Sequence, residues 1–282
     1  MDRMPNSKVN LDRAISRYTN RDTLKATELG VAMANAIVAQ LIGDGVVKGG
    51  TSLKFRYGDA STRYTTDLDT AWKESLDSFI AGIKARLAAG WNGFTGEVLI
   101  LKPANPKKVP FDYVMQPCSV KLSYLGTPWR TVDLEIGHNE IGDADEFDEI
   151  PVPDELAKLM AFLAFPPLGN IKAMKLEYQI AQKLHGASEN NSKRAHDLID
   201  LQLIFAKNKP DLELTGAICR KLFKYRRKQP WPSLIEKGEH WDDVYDRQKR
   251  DLPVLPTVDE AIKWTNALIA RLSSLGTASV ED

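Results

Sequence analysis

The 282-residue sequence predicts an α+β protein in two lobes: a mixed-sheet core over residues 1–150, then a helical bundle over residues 151–282. Three observations lead there. Short stretches alternate polar and apolar residues with period two, as half-buried strands do, and they fall before residue 140. After Glu155 helical periodicity takes over. Between them, Asp143–Pro153 combines clustered acids with two prolines, the composition of a linker.

Element by element, Arg21–Gly43 sets Leu24, Leu29, Val31, Ile37, Val38 and Leu41 at helical spacing and closes on a glycine. An apolar step, Val46-Val47, runs into Lys48-Gly49-Gly50-Thr51-Ser52 and a second short amphipathic stretch. Thr65–Trp72 alternates as a short strand and carries Asp67 and Asp69. Leu76–Ala89 reads as a helix with Phe79, Ile80, Ile83 and Leu87 on one side, and Val98–Leu101 as a strand. From Tyr113 to Ile136 the pattern is a β-hairpin turning at Gly126-Thr127-Pro128. In its second strand, period two puts Asp133 and Glu135 on one face, opposite Val132, Leu134 and Ile136. Glu155–Phe165, Ile171–Leu184, Ser192–Ala206, Leu212–Lys228 and Val258–Leu275 then read as helices.

Composition narrows the class. With 38 Lys and Arg against 38 Asp and Glu, the surface is not uniformly basic, although a local basic patch balanced by an acidic one is compatible with that sum. Asp133–Glu155 holds ten carboxylates and no Lys or Arg, whereas Arg220–Lys228 (RKLFKYRRK) holds six cations in nine residues. Such a run is either a solvated helix face or a phosphate-contacting surface with Phe223 and Tyr225 for base stacking. Two cysteines, Cys118 and Cys219, are too few for a disulfide framework and are expected as buried thiols in a reducing compartment. The N-terminus has no apolar signal core, and the longest apolar run, Leu159–Phe165, falls far short of the ~20 residues that span a bilayer. A cytoplasmic protein with no membrane partner is expected. The four histidines lack metal-site spacing, and Trp231, Trp241 and Trp264 read as packing anchors.

The residues with chemistry lie in the first lobe. Gly49 and Gly50 allow close backbone approach to a triphosphate, and the free N–H groups of a following helix favour anionic oxygens. Asp67 and Asp69, two apart on a strand, point to one face and can share a divalent cation. Mg²⁺ suits such hard oxygens, generally taking one or two carboxylates plus substrate phosphates. Asp133 or Glu135 would supply a third carboxylate for in-line phosphoryl chemistry. Strand, Gly-Gly, short helix, Asp-x-Asp strand and later carboxylate strand, in that order, form the skeleton of a nucleotidyltransferase-type, polymerase-beta-like core.

The same residues resemble the AbiEii-type nucleotidyltransferase toxins of type IV toxin–antitoxin systems, which include the mycobacterial MenT toxins. KGGTSLKFRYG at Lys48–Gly58 and the step Thr65-Thr66-Asp67-Leu68-Asp69 are similar to that family's opening motifs. In the helical half, Glu177–His185 (EYQIAQKLH) is similar to its Lys-Leu helix. Lys193–Leu201 (KRAHDLIDL) fits its Arg-x-x-Asp-x-x-Asp-Leu pattern. The resemblance runs from about Lys48 to Leu201. It departs from the pattern in a longer stretch before Asp-x-Asp, and the signature serine is represented by Thr51 or Ser52.

The resemblance implies an enzyme that moves NMP from an NTP to an RNA acceptor, the tRNA 3′ end being expected, so that translation stops. It also implies a cognate antitoxin as partner. Asp67, Asp69 and Asp133 would hold Mg²⁺, with Asp133 or Glu135 alternatively acting as base; Lys48 and Lys183 would neutralise the triphosphate; Asp197 or Asp200 would orient a lysine, the nucleotide ring or the acceptor. Read without the resemblance, Lys183 is a surface helix lysine. Two other functions compete: a nucleotidyltransferase acting on an antibiotic or a protein hydroxyl, and an inactive nucleotide- or antitoxin-binding module.

Overall fold

The computed structural model describes residues 3–73, 75–103 and 114–275. The chain folds as two units. Met1–Ala60, Thr65–Asn139 and Ala144–Ala173 form the first; Ser61–Tyr64, Glu140–Asp143 and Met174–Asp282 form the second.

In chain order the sheet-bearing part runs through α1 (Lys8–Tyr18), α2 (Thr23–Leu41), β1 (Val46–Lys48), α3 (Gly49–Tyr57), β2 (Leu68–Trp72) and α4 (Leu76–Ala89). It continues with β3 (Phe94–Ile100), β4 (Gln116–Tyr124), β5 (Thr127–His138), β6 (Phe147–Ile150), α5 (Asp154–Phe162) and β7 (Ile171–Met174). The seven strands form one sheet in the order β3-β4-β5-β2-β1-β7-β6. It is mixed: β2 runs parallel to β5 and antiparallel to β1, while β1 runs parallel to β7. The predicted hairpin is β4–β5, turning on Leu125 and Gly126 with φ of +48° and +77°. Positive φ at both central residues matches the right-handed strand twist, and glycine adopts it without strain. The start of that hairpin expected at Tyr113 lies outside the described residues.

One face of the central strands is apolar and covered. Leu68 of β2 and Leu134 of β5 are wholly buried, together with Met33 and Ile37 of α2 and Phe79 and Ile83 of α4. Helix α4 occupies the predicted span because its signals agree: Ser75 accepts from the Ser78 N–H at 3.2 Å, and Gly90 with φ of +74° ends it.

The segment expected as a linker instead contributes β6, and α5 and β7 remain with the sheet. Ile171–Leu184 is not one helix. Ile171–Met174 is a strand, with Val47 of β1 in register with Ala173, and Lys175 at φ −55°, ψ 144° separates it from the helix that follows. Pairing with β1 outweighs local helical spacing there. Helix α1 escaped the sequence reading because only Leu11, Ala14 and Ile15 face inward.

The second unit holds α6 (Leu176–Ala187), α7 (Ala195–Lys207), α8 (Leu212–Arg226), α9 (Trp241–Lys249) and α10 (Val258–Ser274). Trp241 is fully buried and donates its Nε1 hydrogen to the Ser192 carbonyl at 2.6 Å, as a packing anchor does. The basic run falls on α8 and just beyond, and much of it is engaged internally. Arg226 donates to Glu140, Lys228 pairs with Glu189 at 3.0 Å, and Lys221 donates to the Ile141 carbonyl at 2.7 Å. Phe223 is buried between His185 and Trp231, so it is not a stacking surface. Among the described residues no helix is long and apolar enough to cross a membrane.

Cys118 and Cys219 are buried free thiols, and burial pushes their pKa up to about 11 and about 12. A thiol-exchange reagent at pH 8 is expected to titrate neither in the native protein and both in denaturant. Rapid reaction of either in the native state would contradict the packing.

Candidate active site

In the first unit the strand registers bring three of the predicted residues into one row. Lys48 of β1 is the register partner of Asp69 of β2, which is the partner of Glu135 of β5. Residues in register present side chains to the same face, so a lysine and two carboxylates stand side by side. Asp133 lies one pleat further along that face, opposite Ser119 of β4, and is exposed. Asp67 sits just before β2 and is also exposed.

Two glycines make room for this row. Gly49 has φ of +67°, and a Cβ there would stand 2.0 Å from Asp69 Oδ2, so the carboxylate rests directly against its backbone. On β5, a Cβ at Gly137 would stand 2.6 Å from Lys48 Nζ, and the ammonium extends over that bare position. Lys48 is itself buried. It stands at the N-cap position of α3.

The approach to β2 is pinned from behind. Thr51 of α3 donates its hydroxyl to the Asp67 carbonyl at 2.5 Å, and Asn35 of α2 donates Nδ2 to the Thr66 carbonyl at 3.0 Å. Thr51 and Ser52 are both buried, which turns the Thr51 hydroxyl toward the backbone of the Asp-x-Asp segment. Asn35 carries no local sequence signal: it is an amide buried among the apolar residues Met33, Ala34, Ala36 and Ile37 of α2.

Among the described residues no three His, Cys, Asp or Glu side chains gather as a metal cage, so Asp67, Asp69 and Asp133 do not form one. The set fits Mg²⁺ in its common mode, with one or two carboxylates supplemented by substrate phosphates.

The second unit contains a buried charge cluster. Lys183 of α6, expected from local sequence at the surface, is only 3% exposed. Its Nζ donates to Asp197 Oδ1 at 3.1 Å and to Asp200 Oδ2 at 2.6 Å. Each aspartate takes a second cation: Asp200 accepts from Arg63 Nε at 3.0 Å, and Asp197 from Arg194 Nε at 2.5 Å. Both aspartates therefore orient Lys183, where the sequence left the choice open. Burial opposes their ionisation, but Arg194 and Lys183 for Asp197, and Arg63 and Lys183 for Asp200, hold both well below the usual carboxylate range. Burial lowers His196 to about 4. Three cations against two carboxylates leave one net positive charge. Arg63, 137 residues from its partner, carried no sequence signal.

Comparison with known proteins identifies the family and the fold. The family model described as nucleotidyl transferase AbiEii toxin, type IV TA system, matches residues 33–265. The chain belongs to that family. Its fold is similar to that of the nucleotidyltransferase toxin MenT4 from Mycobacterium tuberculosis H37Rv, with a TM-score of 0.60, 16% identity and 95% of each chain covered. A putative nucleotidyltransferase from Helicobacter pylori aligns at a TM-score of 0.48 with 19% identity, over 89% of this chain and 96% of that one. No curated protein matches the sequence. The α+β, nucleotidyltransferase-type fold expected from the motif order is the fold observed.

Gly49→Ala is expected to cost about 1–2 kcal/mol from the left-handed backbone alone and to displace Asp69, read as a lowered Tm together with lost activity. Asp200→Asn strips a buried charge from Lys183 and Arg63 and is expected to cost about 3–5 kcal/mol in urea unfolding at pH 7. The pH dependence has a definite sign. The aspartates' contribution is complete above their unfolded pKa near 4 and is lost only as pH falls further. His196, lowered to about 4, leaves the unfolded state binding more protons between pH 6.5 and 4, so stability falls across that window. His196→Gln is expected to flatten that part of the unfolding profile.

Proposed function

We propose that this AbiEii family member is a Mg²⁺-dependent nucleotidyltransferase that moves NMP from an NTP to an RNA hydroxyl, the tRNA 3′ end, and thereby blocks translation. The observation that carries the reading is the row Lys48–Asp69–Glu135, with the Asp69 carboxylate resting on Gly49. It supplies a cation, a metal-binding carboxylate and a further carboxylate side by side, next to a helix start where backbone N–H groups favour phosphate oxygens.

Asp67 and Asp69 would hold Mg²⁺, which when bound draws electron density from the phosphates and neutralises charge on the departing pyrophosphate. Gly50 and the first turn of α3 cradle phosphate oxygens, while Thr51 holds Asp67 in position through its carbonyl. Glu135, the register partner of Asp69, accepts the proton of the acceptor hydroxyl as that oxygen attacks the α-phosphorus. The bond between the α-phosphorus and its bridging oxygen breaks, and pyrophosphate leaves. Lys48 offsets the growing negative charge. A cognate antitoxin is the expected protein partner, as the family's designation as a toxin–antitoxin system suggests.

The test supplies each α-labelled NTP with Mg²⁺ and total tRNA. Wild type is expected to label RNA with at least one nucleotide, and Asp69→Ala to lose at least a thousandfold in rate while its Tm stays within a few degrees. Removing Mg²⁺ with a chelator is expected to stop transfer. Label appearing on an antibiotic or polypeptide, and not on RNA, would overturn the acceptor assignment. Growth arrest on induction that persists in Asp69→Ala would overturn the enzymatic basis of toxicity.

A further inference from the structure

A second cationic surface feature, outside the proposed catalytic row, lies in the segment Arg3–Arg21. Between Arg3 and Arg21 the chain carries Arg3, Lys8, Arg13, Arg17 and Arg21 against the single carboxylate Asp12. That carboxylate is committed: Asp12 pairs with Lys8 at 2.8 Å and accepts the Trp129 Nε1 hydrogen at 3.0 Å. Asp22, next along, caps α2 by accepting the Lys25 N–H at 3.0 Å. The four arginines line a surface groove of about 1070 Å³ together with Asn6 and Asn10, and all four are exposed. This segment precedes the family-matched residues 33–265.

We propose that this groove binds the sugar–phosphate backbone of the RNA acceptor, which deepens the reading of the preceding section and rests on it. Guanidinium forks suit phosphate oxygens. Arg13 and Arg17, one helical turn apart, are offset by about 6 Å along α1, which suits successive charges on an extended strand. Asn10 Nδ2 donates to Asn6 Oδ1 at 2.7 Å, and Asn6 Nδ2 and Asn10 Oδ1 suit ribose hydroxyls as donor and acceptor. A lipid surface is disfavoured, because the apolar side of α1, Leu11, Ala14 and Ile15, is packed inside the protein and cannot insert. The basic run on α8 is the weaker candidate, since Lys221, Arg226 and Lys228 are engaged within their own unit and Phe223 is buried.

The test compares full-length wild type with the quadruple variant Arg3→Gln, Arg13→Gln, Arg17→Gln, Arg21→Gln, using fluorescently labelled total tRNA and anisotropy at several salt concentrations. The expected result is affinity at least tenfold weaker and a salt slope reduced by about three, since each phosphate contact contributes about 0.7–0.9. In the transfer assay the variant is expected to raise KM for RNA while leaving kcat within about twofold. A double variant, Arg13→Gln with Arg17→Gln, is expected to give about half the slope change and guards against misfolding of the quadruple variant. Unchanged affinity and slope would overturn the proposal even if label transfer to RNA proceeds. Competition by polyglutamate as effective as by RNA at equal charge would also overturn it, in favour of an acidic polypeptide. Loss of tRNA binding in the variants, with no label transfer to RNA by wild type, would uphold the groove and overturn the acceptor reading.

Discussion

Everything proposed for the catalytic row depends on one register. Strand β2 lies between β5, to which it is parallel, and β1, to which it is antiparallel. A slip of one residue would turn Asp69 inward and Leu68 outward. That slip is opposed by burial on the other face, where Leu68, Thr70, Leu134 and Ile136 are almost wholly excluded from water. The hydrophobic core thus fixes which carboxylate meets which lysine. Hydrogen bonds from Asn35 and Thr51 to the carbonyls of Thr66 and Asp67 then set where the segment enters the sheet.

The second unit handles charge differently. In the first, polar groups lie on a sheet face with one neighbour on each side. In the second, Lys183 is enclosed by two aspartates, each held in turn by an arginine. A buried ion network of this kind adds little net stability over apolar packing, but it is costly to break and holds its members in one arrangement. The neutral total of 38 against 38 therefore describes neither unit. It sums exposed acids, internally compensated cations and a strongly basic N-terminal segment.

Most of the sheet was legible because strands with one wet face leave an alternating pattern, and β2, β4 and β5 have one. The same alternation marks Asp67 and Asp69 and leaves Asp133 and Glu135 as alternatives for a third carboxylate. What sequence could not resolve was pairing between distant strands. Asp133 and Glu135 share a face, and only the register with β2 singles out Glu135 as the neighbour of Asp69. Residues that act through tertiary contact, such as Asn35, Arg63 and Gly137, carried no local signal. Conversely, Arg220–Lys228 has a strong signal for a solvated or ligand-binding face, yet Lys221, Arg226 and Lys228 tie α8 and the residues after it to the loops that hold Glu140, Ile141 and Glu189.

Gly137 has a consequence for how this chain can evolve. Gly137 is the next-to-last residue of β5, and within a strand glycine is a weak choice that a β-branched residue would ordinarily improve. Here the space such a side chain needs is taken by the Lys48 ammonium. Any lineage or engineer selecting for heat resistance alone will find this position attractive, and each gain there evicts the lysine from its seat. The sheet is kept weaker at one point so that a charge can lie across it, and a descendant that fills the gap moves the lysine out of the proposed catalytic row for the sake of endurance.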